Sequence, residues 1–201
     1  MTARWSRREF LAHAGVLPLV ATMPPSQGAL ELREITVPVS GLPSSFEGYR
    51  IGFITDVHLG IWVSSELVRT AVELLKQRTV DILLIGGDLI GMPSRHAEAL
   101  FSGAVPREPG GFHDRRRQER PAIIFRRVAE LLSAYRPKDG IFAVFGNHDK
   151  WIDPVQCARS LTEERISLLV NRTASVRRGD DTLSIIGTDD HWTGLPTFSA
   201  P

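Results

Sequence analysis

The stretch IFAVFGNHD, residues 141–149, sets an apolar run directly against a polar one. Its first five residues are all apolar, which is typical of a strand buried on both faces of a sheet. Gly146 ends the run, and Asn147, His148 and Asp149 follow, each with a side chain that can bind a metal or move a proton. A buried strand that ends in such residues predicts a functional site at its carboxyl end.

Two other apolar runs end in the same way. RIGFIT (50–55) leads into Asp56 and His58, and DILLIGGD (81–88) ends in Asp88. If the three runs are parallel strands, their carboxyl ends meet at one edge of the sheet, where α/β proteins bind ligands. A mixed set of oxygen and imidazole ligands suits manganese, iron or zinc better than calcium. A carboxylate can also bridge two cations about 3.5–4 Å apart.

Each of these residues has a more ordinary interpretation when it is taken alone. His58 or His148 could be a surface histidine, and Asp56 or Asp88 could cap the helix that follows its strand. Three such coincidences, in chain order and each at a strand end, favour a shared metal site.

The remainder of the chain alternates strand and helix. Apolar residues at helical spacing predict helices at 64–78, 122–136 and 153–164, and capping residues begin the first and the last of these. Further strands are predicted at 31–39, 166–171, 173–178 and 182–187. The first of these would be an edge strand because Pro38 cannot donate to a ladder, and the last two would form a hairpin. This order predicts an α/β sandwich with a mixed sheet.

The composition is that of an ordinary globular chain, with 201 residues of which 42% are hydrophobic and 23% charged. The net charge of +1 argues against a polyanion as the main partner. The arginines of a Pro/Gly-rich insertion, residues 91–121, have no aromatic interleaving, so no nucleic acid is expected as a partner. The one cysteine, Cys157, excludes an intrachain disulfide.

Residues 1–29 have the pattern of a targeting segment. SRREFL (6–11) is similar to the Ser-Arg-Arg-x-Phe-Leu of twin-arginine export signals, and a mildly apolar run follows it. The other interpretation is an ordinary basic N-terminal helix. The segment predicts export to the periplasm or cell envelope, with membrane association if it stays uncleaved. It leaves residues 30–201 as the folded domain.

The motifs D-x-H (56–58), G-D (87–88) and G-N-H-D (146–149) resemble those of the calcineurin-like metallophosphoesterases, in order and position. The resemblance covers about residues 30–194. The flanking words GYRIGFITDVHLG and IIGTDDHWTG are similar to a branch of exported bacterial phosphodiesterases with twin-arginine signals. The resemblance implies a sandwich of two mixed β-sheets flanked by helices. It also implies a metal-dependent hydrolase of phosphodiester or phosphomonoester bonds.

The same resemblance implies a ligand set for two divalent ions, manganese, iron or zinc. Asp56 and His58 would bind the first metal, Asp88 would bridge both metals, and Asn147 would bind the second. The two ions would activate a hydroxide for in-line attack on phosphorus and neutralise the charge that develops there.

Two catalytic residues follow from the resemblance as well. His148 would protonate the leaving oxygen or stabilise charge on the phosphate, and Asp149 would orient His148. The exported branch suggests lipid-linked or cell-envelope phosphoesters as substrates, which is an analogy between families of proteins.

The closing motif of the family is absent from this sequence. The family continues with a histidine near a strand end and then Gly-His-x-His, which complete both metal shells. None of the six histidines lies in such a motif, and His191, directly before Trp192, suits a loop better than a metal. The chain is therefore expected to be C-terminally truncated and to lack the closing strands. The alternative function is a catalytically impaired or non-catalytic remnant that binds metal weakly or packs with a partner.

Overall fold

The structure is a computed structural model that describes residues 30–60, 63–91 and 121–197. The predicted export segment and nearly all of the predicted insertion lie outside the described residues. Among the helices that are described, none is long and apolar enough to cross a membrane.

Four strands of the described chain form one parallel sheet, and they lie side by side in chain order. They are β1 (Ile51–Ile54), β2 (Ile82–Ile85), β3 (Ile141–Ala143) and β4 (Ser167–Leu168). Ile51 is paired with Ile82 and Leu83 with Ile141, so the strands are nearly level with one another. The predicted α/β class is confirmed, and the carboxyl ends of β1, β2 and β3 meet at one edge as expected.

Helices connect these strands and cover one face of the sheet. They are α1 (Ser65–Gln77), α2 (Pro121–Leu132), α3 (Asn147–Ile152) and α4 (Pro154–Glu163). The predicted caps are confirmed where they were expected: the Ser64 side chain accepts from the Leu67 amide, and Asp153 accepts from Gln156. Each strand of the sheet is added on the same side of the strand before it. Right-handed connections between these parallel strands therefore place the helices on one face of the sheet. The contacts of α2 with both α1 and α4 agree with this arrangement.

The two faces of the sheet have separate apolar clusters. Leu83 and Ile85 of β2 point to the helices and pack with residues such as Phe125, whereas Ile82 packs with Phe46 on the opposite face. This alternation is the two-residue period of a strand. The second face is covered by an antiparallel hairpin of β5 (Arg172–Arg178) and β6 (Asp181–Gly187).

Several details of the predicted fold are wrong. Residues 31–39 form no strand, since Ile35 and Val37 are exposed and no neighbouring strand pairs with them in the described chain. Neither sheet of the described residues is mixed, because one is wholly parallel and the other is an antiparallel pair. The strand expected at 166–171 is reduced to the two residues of β4.

The amino ends of the parallel strands are tied to the hairpin by Arg178, the last residue of β5. Its guanidinium donates to Asp81, directly before β2, at 3.0 Å, and to Asp139, shortly before β3, at 3.2 Å. The same group lies 4.7 Å from the centre of the Tyr49 ring. This clamp lies at the end of the sheet opposite to the predicted metal site.

Candidate metal centre

The loops after β1 and β2 stay paired beyond the ends of their strands. The Asp56 amide donates to the Gly87 carbonyl at 3.1 Å, and the His58 amide donates to the Asp88 carbonyl at 2.9 Å. Val57, between the two predicted ligands, is buried and fixes the loop in the core. The pairing therefore brings the first two sequence motifs side by side, as predicted.

Three predicted ligands have left-handed backbone, which is uncommon for residues other than glycine. The φ angles are 53° at Asp56, 46° at His58 and 53° at Asp88. Each such conformation costs on the order of 1–3 kcal/mol unless the surroundings enforce it, and it is typical of functional sites. Aspartate and histidine adopt this conformation more often than most residue types do, but the sequence alone did not mark these positions for it.

His58, Asp88 and His148 converge at this edge of the sheet. Each offers a ligand atom, and these atoms lie within 4.8 Å of one another. His58 Nε2 is 3.7 Å from Asp88 Oδ2 and also 3.7 Å from Asp56 Oδ1. The Asp56 side chain is 63% exposed, so it lies at the solvent side of the group. The structure thus brings all three motifs together.

His148 joins the potential ligands more closely than expected. Its ring centre is 4.7 Å from that of His58, and its Nδ1 is buried without a hydrogen-bond partner among the described residues. Burial lowers the pKa of the His148 imidazole below its ordinary value, against the opposing effect of the Asp88 carboxylate. A buried, unpartnered ring nitrogen is costly unless something binds it. An imidazole nitrogen without a partner, beside the Asp88 carboxylate, therefore fits a divalent transition metal or a bound phosphate.

Asn147 is the first residue of α3 and is partly buried beside this group. The backbone amide of the next residue, His148, donates to Asp88 Oδ1 at 2.9 Å, which places the start of α3 against the Asp88 side chain. The role of Asn147 as a ligand of a second metal stays a prediction.

Asp149 does not have the position that was predicted for it. Its carboxylate is fully buried and accepts from three backbone amides: Asp88 at 2.8 Å, Leu89 at 2.9 Å and Gly146 at 3.0 Å. Burial raises the pKa of the Asp149 carboxyl to about 6, and the amide donors oppose that rise. The expectation that Asp149 orients the His148 ring is therefore wrong in its geometry, because the carboxylate binds backbone instead.

Two glycines are required where the loops after β2 and β3 touch. A Cβ atom on Gly87, where φ is +93°, would lie 2.2 Å from the Gly146 nitrogen. A Cβ atom on Gly146 would lie 2.0 Å from Asp88 Oδ1. No side chain fits either position, so the two glycines are what allows the two loops to approach each other closely.

The loop after β6 lies against α3 but adds no histidine to the group. Lys150 of α3 and Asp189 form an ion pair at 2.7 Å, and both side chains are largely buried. His191 is exposed and does not join the ligand cluster of the described residues. This agrees with the expectation that His191 belongs to a loop.

Comparisons with known proteins agree with this geometry. The family model described as calcineurin-like phosphoesterase matches residues 49–194. A zebrafish (Danio rerio) protein named "Transmembrane protein with metallophosphoesterase domain" is 26% identical over 161 residues, which are 78% of this chain and 30% of that protein. The Escherichia coli K12 protein "Phosphodiesterase YaeI" is 23% identical over 149 residues, 73% of this chain and 45% of that protein.

The chain thus spans less than half the length of either curated relative. No solved structure matches the chain at the significance that these two relatives reach. The family match covers all three motifs at the strand ends and most of the described sheet. This chain belongs to the calcineurin-like phosphoesterase family.

Proposed function

We propose that this protein hydrolyses phosphodiester or phosphomonoester bonds with the help of two divalent metal ions. The observation that supports the proposal most directly is the convergence of His58, Asp88 and His148 at the carboxyl edge of the sheet. A metal-dependent phosphoesterase activity is what the family implies in general. To this general activity the proposal adds the use of two ions and the class of ester that is hydrolysed.

The residues of the chain have separate tasks in this reaction. When bound, the ions would supply an activated water and would neutralise charge on the phosphate. Asp88, whose carboxylate lies close to the His58 ring and the His148 amide, would be shared by both ions, and Asp56 would hold an ion from the solvent side. His148 would donate a proton to the leaving oxygen or stabilise charge on the phosphate.

Replacement of His148 by glutamine is expected to lower turnover by about 10²–10⁴-fold, the usual contribution of a general acid. The measurement uses an aryl phosphodiester and an aryl phosphomonoester, each with manganese, iron or zinc. The matched control is His191→Gln, because His191 is exposed and lies outside the ligand cluster of the described residues.

Equal turnover of parent and His148→Gln would argue against the assigned role. A parent protein that binds manganese but hydrolyses neither ester would instead support the alternative of a non-catalytic remnant. The comparison of the two esters reports which class of bond the site prefers.

We further propose that the N-terminal segment directs export, which would bring the site to phosphoesters outside the cytoplasm. The double replacement of Arg7 and Arg8 by lysine keeps the charge but removes the paired arginines that such signals require. The double variant is expected to stay in the cytoplasm of a bacterial host, as measured by cell fractionation. The variant Arg4→Lys is the control, and export of the double variant at the parent level would contradict this proposal.

A further inference from the structure

The buried carboxylate of Asp149 connects two loops that are distant in sequence. Two of its amide donors, Asp88 and Leu89, belong to the loop after β2, and the third, Gly146, belongs to the loop after β3. Asp149 itself lies within α3. The Asp149 side chain therefore joins the loops that follow two neighbouring strands, and it does so through hydrogen bonds to their backbone amides.

Asp88 is held from two sides by this arrangement. Its backbone amide donates to Asp149 Oδ2, while its own Oδ1 accepts from the His148 amide at 2.9 Å. Asp149 thus holds the main chain of Asp88, and its neighbour His148 holds the side chain of Asp88. The geometry of the Asp88 carboxylate depends on both bonds at once.

The backbone of Asp88 also needs such support. Its φ of 53° is left-handed, and Gly87 before it has φ of +93°. A loop with two consecutive unusual conformations relaxes unless its surroundings hold it. The amides of Asp88 and Leu89 are part of a buried segment, so they would lose the acceptor that they share if Asp149 were replaced.

Direct metal binding or proton transfer by Asp149 fits this geometry poorly. The side chain has no exposed surface, and its two oxygens accept three hydrogen bonds from backbone. From these contacts we infer that Asp149 is a positioning residue, whose carboxylate sets the orientation of the Asp88 ligand for metal binding. The inference rests on the proposed function, because it concerns the affinity of the same site for a metal.

The test is the affinity of the full chain for Mn²⁺, measured by calorimetric titration, together with amide hydrogen exchange. In Asp149→Asn the amide group presents two hydrogens where the backbone donors need an acceptor. We expect Mn²⁺ affinity to fall by about 10–100-fold, as for other partners that orient a metal ligand. Exchange should accelerate at the amides of Asp88, Leu89 and Gly146.

The control is Asp153→Ala, since Asp153 is a nearby acid that caps α4 by accepting from the Gln156 amide, and alanine removes that acceptor. Its loss should lower stability with unchanged Mn²⁺ affinity, which separates a structural effect from positioning. Asp149→Glu is the second variant and retains the carboxylate one methylene further out. If Asp149→Asn does not fold, weaker Mn²⁺ binding by folded Asp149→Glu supports the inference, and parent affinity contradicts it.

Two results would overturn the inference in distinguishable ways. If the parent binds Mn²⁺ and folded Asp149→Asn binds it equally well, Asp149 has no positioning role and the proposed function stands. If the parent binds neither Mn²⁺ nor Fe²⁺ nor Zn²⁺, the proposed function fails, and the inference fails with it.

Discussion

Asp88→Asn is expected to lose most of its bound metal and nearly all phosphoesterase activity. Asparagine has nearly the same shape as aspartate but no charge, so two cations that share this ligand would repel each other without compensation. Mn²⁺ affinity should fall by more than the about 10–100-fold decrease that is usual when a residue that only orients a metal ligand is replaced. Elemental analysis of the purified protein and Mn²⁺ titration measure the effect.

Asp180→Asn is a suitable control for this experiment. Asp180 lies exposed in the turn between β5 and β6, remote in the fold from the carboxyl edge of the parallel sheet. Its replacement removes one negative charge from the surface and should leave metal content unchanged. The idea of a shared carboxylate ligand is lost if Asp88→Asn retains the metal content of the parent and of Asp180→Asn.

Gly87→Ala is expected to destabilise the fold and the site together. The left-handed backbone costs an alanine about 1–2 kcal/mol, and the new Cβ would lie 2.2 Å from the Gly146 nitrogen. Backbone atoms cannot move aside as a flexible side chain can, so overpacking adds about 1–3 kcal/mol. Chemical denaturation measures the free energy of unfolding, and Mn²⁺ titration measures the site.

Gly179→Ala separates these two contributions. Gly179 also has positive φ, +62°, but a Cβ there would meet nothing within 4 Å. This variant should lose only the conformational part, about 1–2 kcal/mol, and should bind Mn²⁺ like the parent. Equal losses of stability in the two alanine variants would mean that the close contact of Gly87 with Gly146 has no energetic weight.

Local signals made much of the fold predictable. Ser64 and Asp153 cap their helices through hydrogen bonds to amides three residues later. A few neighbouring residues are therefore enough to predict where each of these helices begins. The apolar runs before Asp56 and Asp88 are strands of a parallel sheet, as continuous apolar runs favour. Topology then brought the polar ends of these strands to one edge.

Long-range contacts account for what sequence could not predict. The Asp149 carboxylate binds the amide of Asp88, 61 residues earlier in the chain, and a backbone amide has no residue type that marks it as a partner. The left-handed backbone of Asp56 and His58 likewise depends on pairing with the loop after β2. At 31–39 the sequence predicted an edge strand, but a strand needs a neighbour, and the described chain provides none.

The clamp at Arg178 separates the stability of the fold from the geometry of the candidate site. Asp81 directly precedes β2, and Asp88 lies three residues beyond its last residue, so the four residues of the strand alone separate them by roughly 13 Å of rise. Substitutions so far apart, without shared partners, usually have additive effects. Replacements at the Arg178 end are therefore expected to change the free energy of unfolding without changing the geometry of the carboxyl edge.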